Sequence, residues 1–132
     1  MTADSRIVWL SRKLILAIHD LQIAEHGGGA GLRDSGLLDS ALARPLNRAG
    51  YGDPDLSELG ALYALAIARN HPFIDGNKRA AWAATVTFLD LNGLDFEPEE
   101  VEAATTMLAM AAGDLADEEF IAWVRTYAKP RP

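Results

Sequence analysis

Residues 59–91 read LGALYALAIARNHPFIDGNKRAAWAATVTFLDL, and they predict the central part of the fold. Its outer parts, 59–68 and 80–91, are apolar nearly all round, which predicts two helices without a solvated face. Helices of that kind lie in the middle of a helical bundle. The segment between them, His71–Arg79, is polar and is held between the two buried helices. Side chains that need a fixed geometry are expected at such a junction.

Four further helices are predicted from apolar spacing and from cap and stop residues. The six predicted helices cover residues 9–25, 35–43, 55–70, 80–91, 98–113 and 118–127, with Asp34 and Asp117 as caps and Pro45 beyond the end of the second. Residues 44–56 are predicted as an exposed loop or short hairpin, and residues 94–97 as a brief extended piece. The sequence therefore predicts one all-α domain of about six helices over residues 1–132.

Composition narrows the class of protein. The chain has 132 residues, 49% of them apolar, which is enough for one globular core. A net charge of −7 argues against a nucleic-acid binder, and the absence of cysteine excludes disulfide and thiolate chemistry. The start, Met1–Arg6, is polar, and no apolar run reaches the length of a signal or membrane span. We therefore expect a cytoplasmic protein without a direct nucleic-acid or membrane contact.

The start of the fourth helix carries charge of an unfavourable sign. Gly76 permits an unusual backbone conformation, and Asn77 suits an N-cap. Lys78 and Arg79 follow in the first turn, where each cation is unfavourable by about 0.3–1 kcal/mol. A bound anion would offset this cost, since backbone N–H groups, an ammonium and a guanidinium would all point at it. The sequence therefore predicts a phosphate site here.

His71 and Asp75 add the other groups of a transfer reaction. A carboxylate beside a phosphate site favours a bridging Mg²⁺ ion. Imidazole is largely neutral near pH 7 and accepts a proton from an attacking hydroxyl. Together these groups indicate phosphoryl or nucleotidyl transfer. Arg69 is either an extra phosphate ligand or a charge that suits a helix C-terminus.

Other conspicuous side chains are interpreted as structural. His19 is predicted to face outward on the first helix and His26 to lie at its end, with no second ligand at metal spacing. The tryptophans, Trp9, Trp82 and Trp123, are predicted core or interface anchors. Tyr51 is predicted to pack on an exposed turn.

The string HPFIDGNKR, residues 71–79, resembles the signature HPFx(D/E)GN(G/K)R of the Fic/Doc family. It meets every fixed position of HxFx(D/N)(A/G)NKR, the form of the Doc, or death-on-curing, branch. Four more segments resemble Doc-type toxins: Glu25–Gly28, Gly31–Asp34, Gly36–Leu38 and Ser40–Pro45. The resemblance thus extends over most of the chain to about Gly93.

The resemblance implies roles for the motif residues. His71 would deprotonate a target hydroxyl, Asp75 would hold Mg²⁺, and Phe73 would anchor the loop in the core. The helix start, Gly76, Asn77, Lys78 and Arg79, would bind the phosphates of ATP. Residues 44–56 would occupy the place of the family's flap, which aligns a segment of the target.

Two positions bear on the group that is transferred. AMP-transferring members usually have glycine before the motif arginine and a second arginine three residues after it, whereas this chain has Lys78 and Trp82. Both departures resemble the Doc branch, in which ATP is bound the other way round and its γ-phosphate goes to a threonine of translation elongation factor Tu. The resemblance implies a kinase toxin that blocks translation. AMP transfer is the alternative, and a catalytically idle partner-binding module is a second one.

Restraint of the activity is expected from another protein. Many Fic enzymes are silenced by a glutamate in an (S/T)xxxE(G/N) helix, and no serine or threonine of this chain has glutamate four residues later. The resemblance to Doc toxins implies a separately encoded antitoxin as the partner.

Overall fold

The computed structural model describes residues 6–132, and Met1–Ser5, most of the polar start, lie outside the described residues. The described part is mostly helical, as predicted. Its helices are α1 (Arg12–His26), α2 (Ser35–Ala49), α3 (Leu56–Asn70), α4 (Asn77–Leu91), α5 (Glu100–Ala111) and α6 (Asp117–Tyr127). Two short antiparallel strands, β1 (Leu94–Phe96) and β2 (Ala128–Pro130), pair with Leu94 opposite Pro130. Among residues 6–132, no helix has both the length and the apolar character that a bilayer span requires.

Helix α3 forms the centre of the bundle. Every residue from Leu59 to Ala68 is buried, and the helix packs against α2, α4, α5 and α6. This confirms the prediction from its apolar sequence. Helix α4 is buried mainly on one side, through Ala81, Ala84 and Phe88, and leaves Trp82 half-buried. Its half-buried apolar residues also pack against the core, which explains why its sequence is apolar nearly all round.

Helix α2 is longer than predicted. It continues to Ala49 and contains Pro45, which was expected to lie beyond its end. Proline lacks the N–H that would bond to the carbonyl four residues earlier, which disfavours it inside a helix. Here Leu38, Ala41 and Pro45 form one buried face against α3, and this tertiary packing outweighs the local preference.

The predicted flap segment does not lie at the motif. Only residues 50–55 form a loop, and this loop precedes the first residue of α3. The motif loop follows the last residue of the same helix, so the length of α3, about 20 Å, separates the two. The segment that pairs with the motif loop is instead Gly29–Asp34, through a bridge of Leu32 with Phe73.

The starts of other helices also differ from the prediction, and α4 begins at Asn77 rather than at residue 80. The first helix begins at Arg12 after the cap Ser11, and α5 begins after the cap Glu99 rather than at Pro98. Helix α6 includes Asp117, which was predicted as its cap. The Asp117 carboxylate accepts hydrogen bonds from Arg44 and from Arg69 instead of from the backbone of its own first turn.

An aromatic cluster closes the C-terminal side of the bundle. Trp123 lies 6.3 Å from Trp82 and 5.8 Å from Phe96 between ring centroids. Trp9 packs at 6.0 Å from Phe88 on the other side of α4. All three tryptophans therefore contact the core, as predicted.

Candidate active site

The motif loop, His71–Gly76, joins α3 to α4 at one end of a cleft of about 870 Å³. The polar end of the cleft is lined by His71, Asp75, Lys78 and Arg79. The rest of the lining includes the polar residues Gln22, His26 and Glu100 and a group of mostly apolar residues, Ile74, Trp82, Pro98, Ala103, Ala104, Met107 and Leu108. The structure therefore brings the predicted base, carboxylate and cations into one cleft.

Two left-handed residues mark the ends of the motif loop. His71 has φ 51° and ψ 55°, and Gly76 has φ 74° and ψ 22°. A Cβ atom on Gly76 would lie 3.2 Å from Cδ1 of Ile23 and 3.6 Å from Nε2 of His19. Both the backbone conformation and the close approach of α1 therefore require glycine at position 76.

Asn77 does not cap α4, in contrast to the prediction, because Gly76 occupies the cap position. Its side chain is buried and folds back on the loop. The Oδ1 atom accepts the Phe73 N–H at 3.0 Å, and the Nδ2 atom donates to the Phe73 carbonyl at 3.0 Å. Nδ2 also lies 3.4 Å from Nδ1 of His71. The Asn77 side chain thus connects the loop backbone with the imidazole.

The first turn of α4 presents donors to the cleft. The helical ladder begins with the bond from the Ala80 N–H to the Gly76 carbonyl, so the N–H groups of residues 77–79 precede it. Lys78 and Arg79 are exposed at this end of the helix. Neither forms an ion pair with any carboxylate that the structure describes. Backbone and side-chain donors therefore face the same space, where an anion would neutralise them.

Asp75 is exposed beside these donors and accepts two backbone hydrogen bonds. Its Oδ1 atom accepts the Gly76 N–H at 2.8 Å, and its Oδ2 atom accepts the Gly29 N–H at 3.3 Å. These two bonds, the Gly76 bond first, hold the pKa of Asp75 below its usual value, so the group is a carboxylate at neutral pH.

The carboxylate fits Mg²⁺ only together with other oxygen ligands. Mg²⁺ prefers hard oxygen atoms and is commonly held by one or two carboxylates plus phosphate oxygens and water. Within residues 6–132, no three His, Asp or Glu side chains converge as a metal site. The remaining ligands at Asp75 would therefore come from a bound phosphate and from water.

Arg69 lies outside the cleft lining, although it is only two residues from His71. Its guanidinium pairs with Asp117 and donates to the carbonyls of Met110 and Leu115. Of its two interpretations, the geometry favours the helix-end charge, because the phosphate-ligand role would require the side chain to leave these partners.

His19 is the residue whose position sequence reasoning missed. It was predicted to face outward, but only 1% of it is exposed. Its ring stacks on Phe73 at 3.8 Å with an interplanar angle of 3°, and its Nε2 lies 2.7 Å from the Asp75 carbonyl oxygen. The spacing of apolar residues in the sequence indicates this position, because His19 lies four residues after Ile15 and four before Ile23, on the inner face of the helix. Phe73, 1% exposed, anchors the loop as expected.

Comparisons with known proteins identify the family of the chain. The model of the Fic/DOC family matches residues 9–89. The protein named Toxin Doc of Mycolicibacterium smegmatis is 43% identical over 96 residues, which cover 67% of this chain and 73% of that protein. Protein kinase doc of Escherichia phage P1 is 33% identical over 108 residues, 81% of this chain and 85% of that protein. The chain therefore belongs to the Fic/DOC family and, within it, to the branch of the Doc toxins.

Proposed function

We propose that this protein is a Doc-type kinase that transfers the γ-phosphate of ATP to a hydroxyl of a protein target in the presence of Mg²⁺. The observation that carries the proposal is the shared cleft of His71, Asp75 and the first turn of α4. The name of the phage P1 relative, Protein kinase doc, supports the type of reaction.

Each group of the cleft has a part in the transfer. The free N–H groups of the first turn, with Lys78 and Arg79, bind the phosphates and offset their charge. Asp75 would hold Mg²⁺ beside the phosphates, and the bound ion would supply further charge neutralisation. His71 accepts the proton of the target hydroxyl as its oxygen attacks the γ-phosphorus, and ADP leaves with the electrons of the broken P–O bond.

Lys78 and Trp82 favour phosphate transfer over AMP transfer. Lys78 places a side chain and a charge where the AMP-transferring members have glycine. Trp82 stands at the position of their second arginine, and its indole lies 5.3 Å from Phe96 in the aromatic cluster. Among the described residues that line the cleft, Arg79 is therefore the one arginine, whereas those members use two.

The proposed biological role is that of the Doc toxins, inhibition of translation. We propose that the target is the translation elongation factor Tu, that its modification stops translation in the cytoplasm, and that a separately encoded antitoxin restrains the enzyme. The name of the Mycolicibacterium relative, Toxin Doc, supports a toxic activity.

The decisive experiment measures the mass that is transferred. Purified elongation factor Tu is incubated with the protein, ATP and Mg²⁺, and its intact mass is determined. The proposal expects the addition of one phosphate, with none when His71→Ala replaces the wild type. Addition of AMP would establish the alternative reaction, and an unmodified factor would overturn the proposed target.

Growth tests address toxicity separately from the choice of target. Expression without an antitoxin is expected to arrest bacterial growth, and His71→Ala is expected to relieve the arrest. An equally toxic His71→Ala variant would contradict the assignment of the base.

The Lys78→Gly variant tests the orientation of the nucleotide. Removing the lysine side chain opens the space that AMP-transferring members leave free, so the variant is expected to gain AMP transfer at the expense of phosphate transfer. If the mass assay shows no added AMP, Lys78 does not determine the orientation.

A further inference from the structure

Arg33, outside the motif, holds the backbone of the proposed base. Its Nε atom donates to the His71 carbonyl at 2.7 Å, and its Nη2 atom donates to the Asn70 carbonyl at 2.9 Å. Its backbone N–H donates to the Pro72 carbonyl at 2.7 Å. One residue therefore binds three consecutive carbonyls at the point where α3 ends and the motif loop begins.

The residue that Arg33 holds is in an uncommon conformation. Within residues 6–132, His71 is the one non-glycine residue with a positive φ. Left-handed conformations are unfavourable for residues with a Cβ atom and persist where the surroundings enforce them. The His71 N–H donates to the Ile67 carbonyl at 3.2 Å, and Arg33 binds the other end of the same residue.

Arg33 itself stands on a rigid support. The neighbouring Asp34 caps α2 by accepting the Leu37 N–H at 2.9 Å, and its own N–H donates to the Pro72 carbonyl at 3.0 Å. A guanidinium presents several N–H donors in a fixed planar arrangement, so Arg33 donates to two carbonyls simultaneously. Its charge also suits the negative end of the α3 dipole.

We propose that Arg33 is a positioning residue: it fixes the left-handed backbone of His71 and thereby aims the imidazole at the hydroxyl that it deprotonates. The side chain lies outside the cleft lining, so it acts through His71 rather than on the nucleotide. This inference rests on the proposed function for its kinetic part and on the fold alone for its structural part.

The test uses Arg33→Gln, which removes the fork but keeps the backbone N–H of residue 33. We expect kcat for phosphate transfer to fall by about ten- to a hundredfold, as a small misplacement of a reacting group does, while KM for ATP changes by less than about twofold. Arg33→Lys, which reaches one carbonyl at a time, should recover part of the loss. Equal losses for both variants would contradict the role of the fork.

A matched control is Arg12→Gln. Arg12 also donates to two groups on the surface, Asp39 and Ser35, and none of its hydrogen bonds to the described residues goes to the motif loop. Its kcat and KM are expected to remain those of the wild type. If Arg12→Gln lost as much kcat as Arg33→Gln, general destabilisation would explain both and the inference would fail.

Nitrogen-15 spectra of the imidazoles give a readout that needs no substrate. The chain has three histidines, so each ring signal is assigned with a single substitution. In Arg33→Gln, the His71 signals should shift and broaden while those of His26 stay unchanged. Unchanged His71 signals would overturn the positioning role whatever the enzyme transfers. A wild-type protein that transfers nothing would overturn the proposed function, and these spectra would still decide the role of Arg33.

Discussion

Asn77 shows how much of the site depends on one side chain. Its amide pairs with both backbone groups of Phe73 inside the protein. Asn77→Ala would leave a buried N–H and a buried carbonyl unpaired, each at a cost of about 1–3 kcal/mol. We expect a loss of about 2–6 kcal/mol in the free energy of unfolding, measured with urea. The control Asn47→Ala, on the exposed side of α2, should change the free energy of unfolding by less than about 0.5 kcal/mol. Similar losses for both variants would show that the hydrogen bonds of Asn77 to Phe73 do not stabilise the loop.

The charge of Asp75 is expected to make ATP binding depend on Mg²⁺. Asp75→Asn keeps the shape of the side chain but removes the charge that would hold Mg²⁺. Calorimetric titration with ATP should show tighter binding with Mg²⁺ than with EDTA for the wild type, and no such difference for the variant. Asp53→Asn, in the loop before α3, is the control and should keep the Mg²⁺ dependence. If Asp75→Asn also kept it, the metal role would be excluded.

Among the helices, the sequence predicted correctly the features that depend on local pattern. It failed for the features that depend on packing between helices. The apolar run of α3 and the motif loop after it were recognised because burial on all sides and a polar junction are visible in the string itself. The end of α2 was missed because Pro45 is a local stop signal that packing on α3 overrides. The inward position of His19 was missed although its spacing from Ile15 and Ile23 indicates the inner face of α1. The back-folded amide of Asn77 was missed because asparagine is also a common helix cap, and local sequence does not distinguish the two roles.

The motif loop joins α3 to α4, and the close packing of these two helices depends on Gly60. A Cβ atom there would lie 3.0 Å from Cδ2 of Leu89 and 3.4 Å from Cδ2 of Phe88. Gly60→Val should therefore lower the free energy of unfolding by about 1–3 kcal/mol through overpacking. Gly36→Val, on the exposed first turn of α2, is the matched control and should change it by less than about 0.5 kcal/mol. Equal unfolding midpoints in urea would show that α4 can shift without cost.

At the scale of the whole molecule, ion pairs connect α6 with the rest of the bundle. Asp117 on α6 accepts hydrogen bonds from Arg44 on α2 and Arg69 on α3. Arg125, later on α6, pairs with Asp55 before α3 at 2.6 Å. The Arg125 hydrogen bond is the main cause that lowers the pKa of Asp55. These pairs hold the last helix against α3 and α2.

The pairs of Asp117 make stability depend on pH. Partial burial raises the pKa of Asp117, but the bonds from Arg69 and Arg44 outweigh burial and leave the pKa below the usual 3.8. A carboxylate with a lowered folded-state pKa stabilises the protein above its unfolded pKa, and this stabilisation disappears as the pH falls through the folded value. Because the side chains are partly exposed, the two pairs together contribute about 1 kcal/mol.

Asp117→Asn should therefore reduce the free energy of unfolding by about 1 kcal/mol at pH 7, and the difference from wild type should vanish below the folded-state pKa, where Asp117 is protonated in both states. Urea unfolding at a series of pH values measures the loss at pH 7 and its disappearance at low pH. Asp114→Asn, an exposed carboxylate in the turn before α6, should leave the curve unchanged at every pH. A deficit for Asp117→Asn that persisted undiminished at the acid end would mean that the side chain stabilises the bundle by packing rather than by charge.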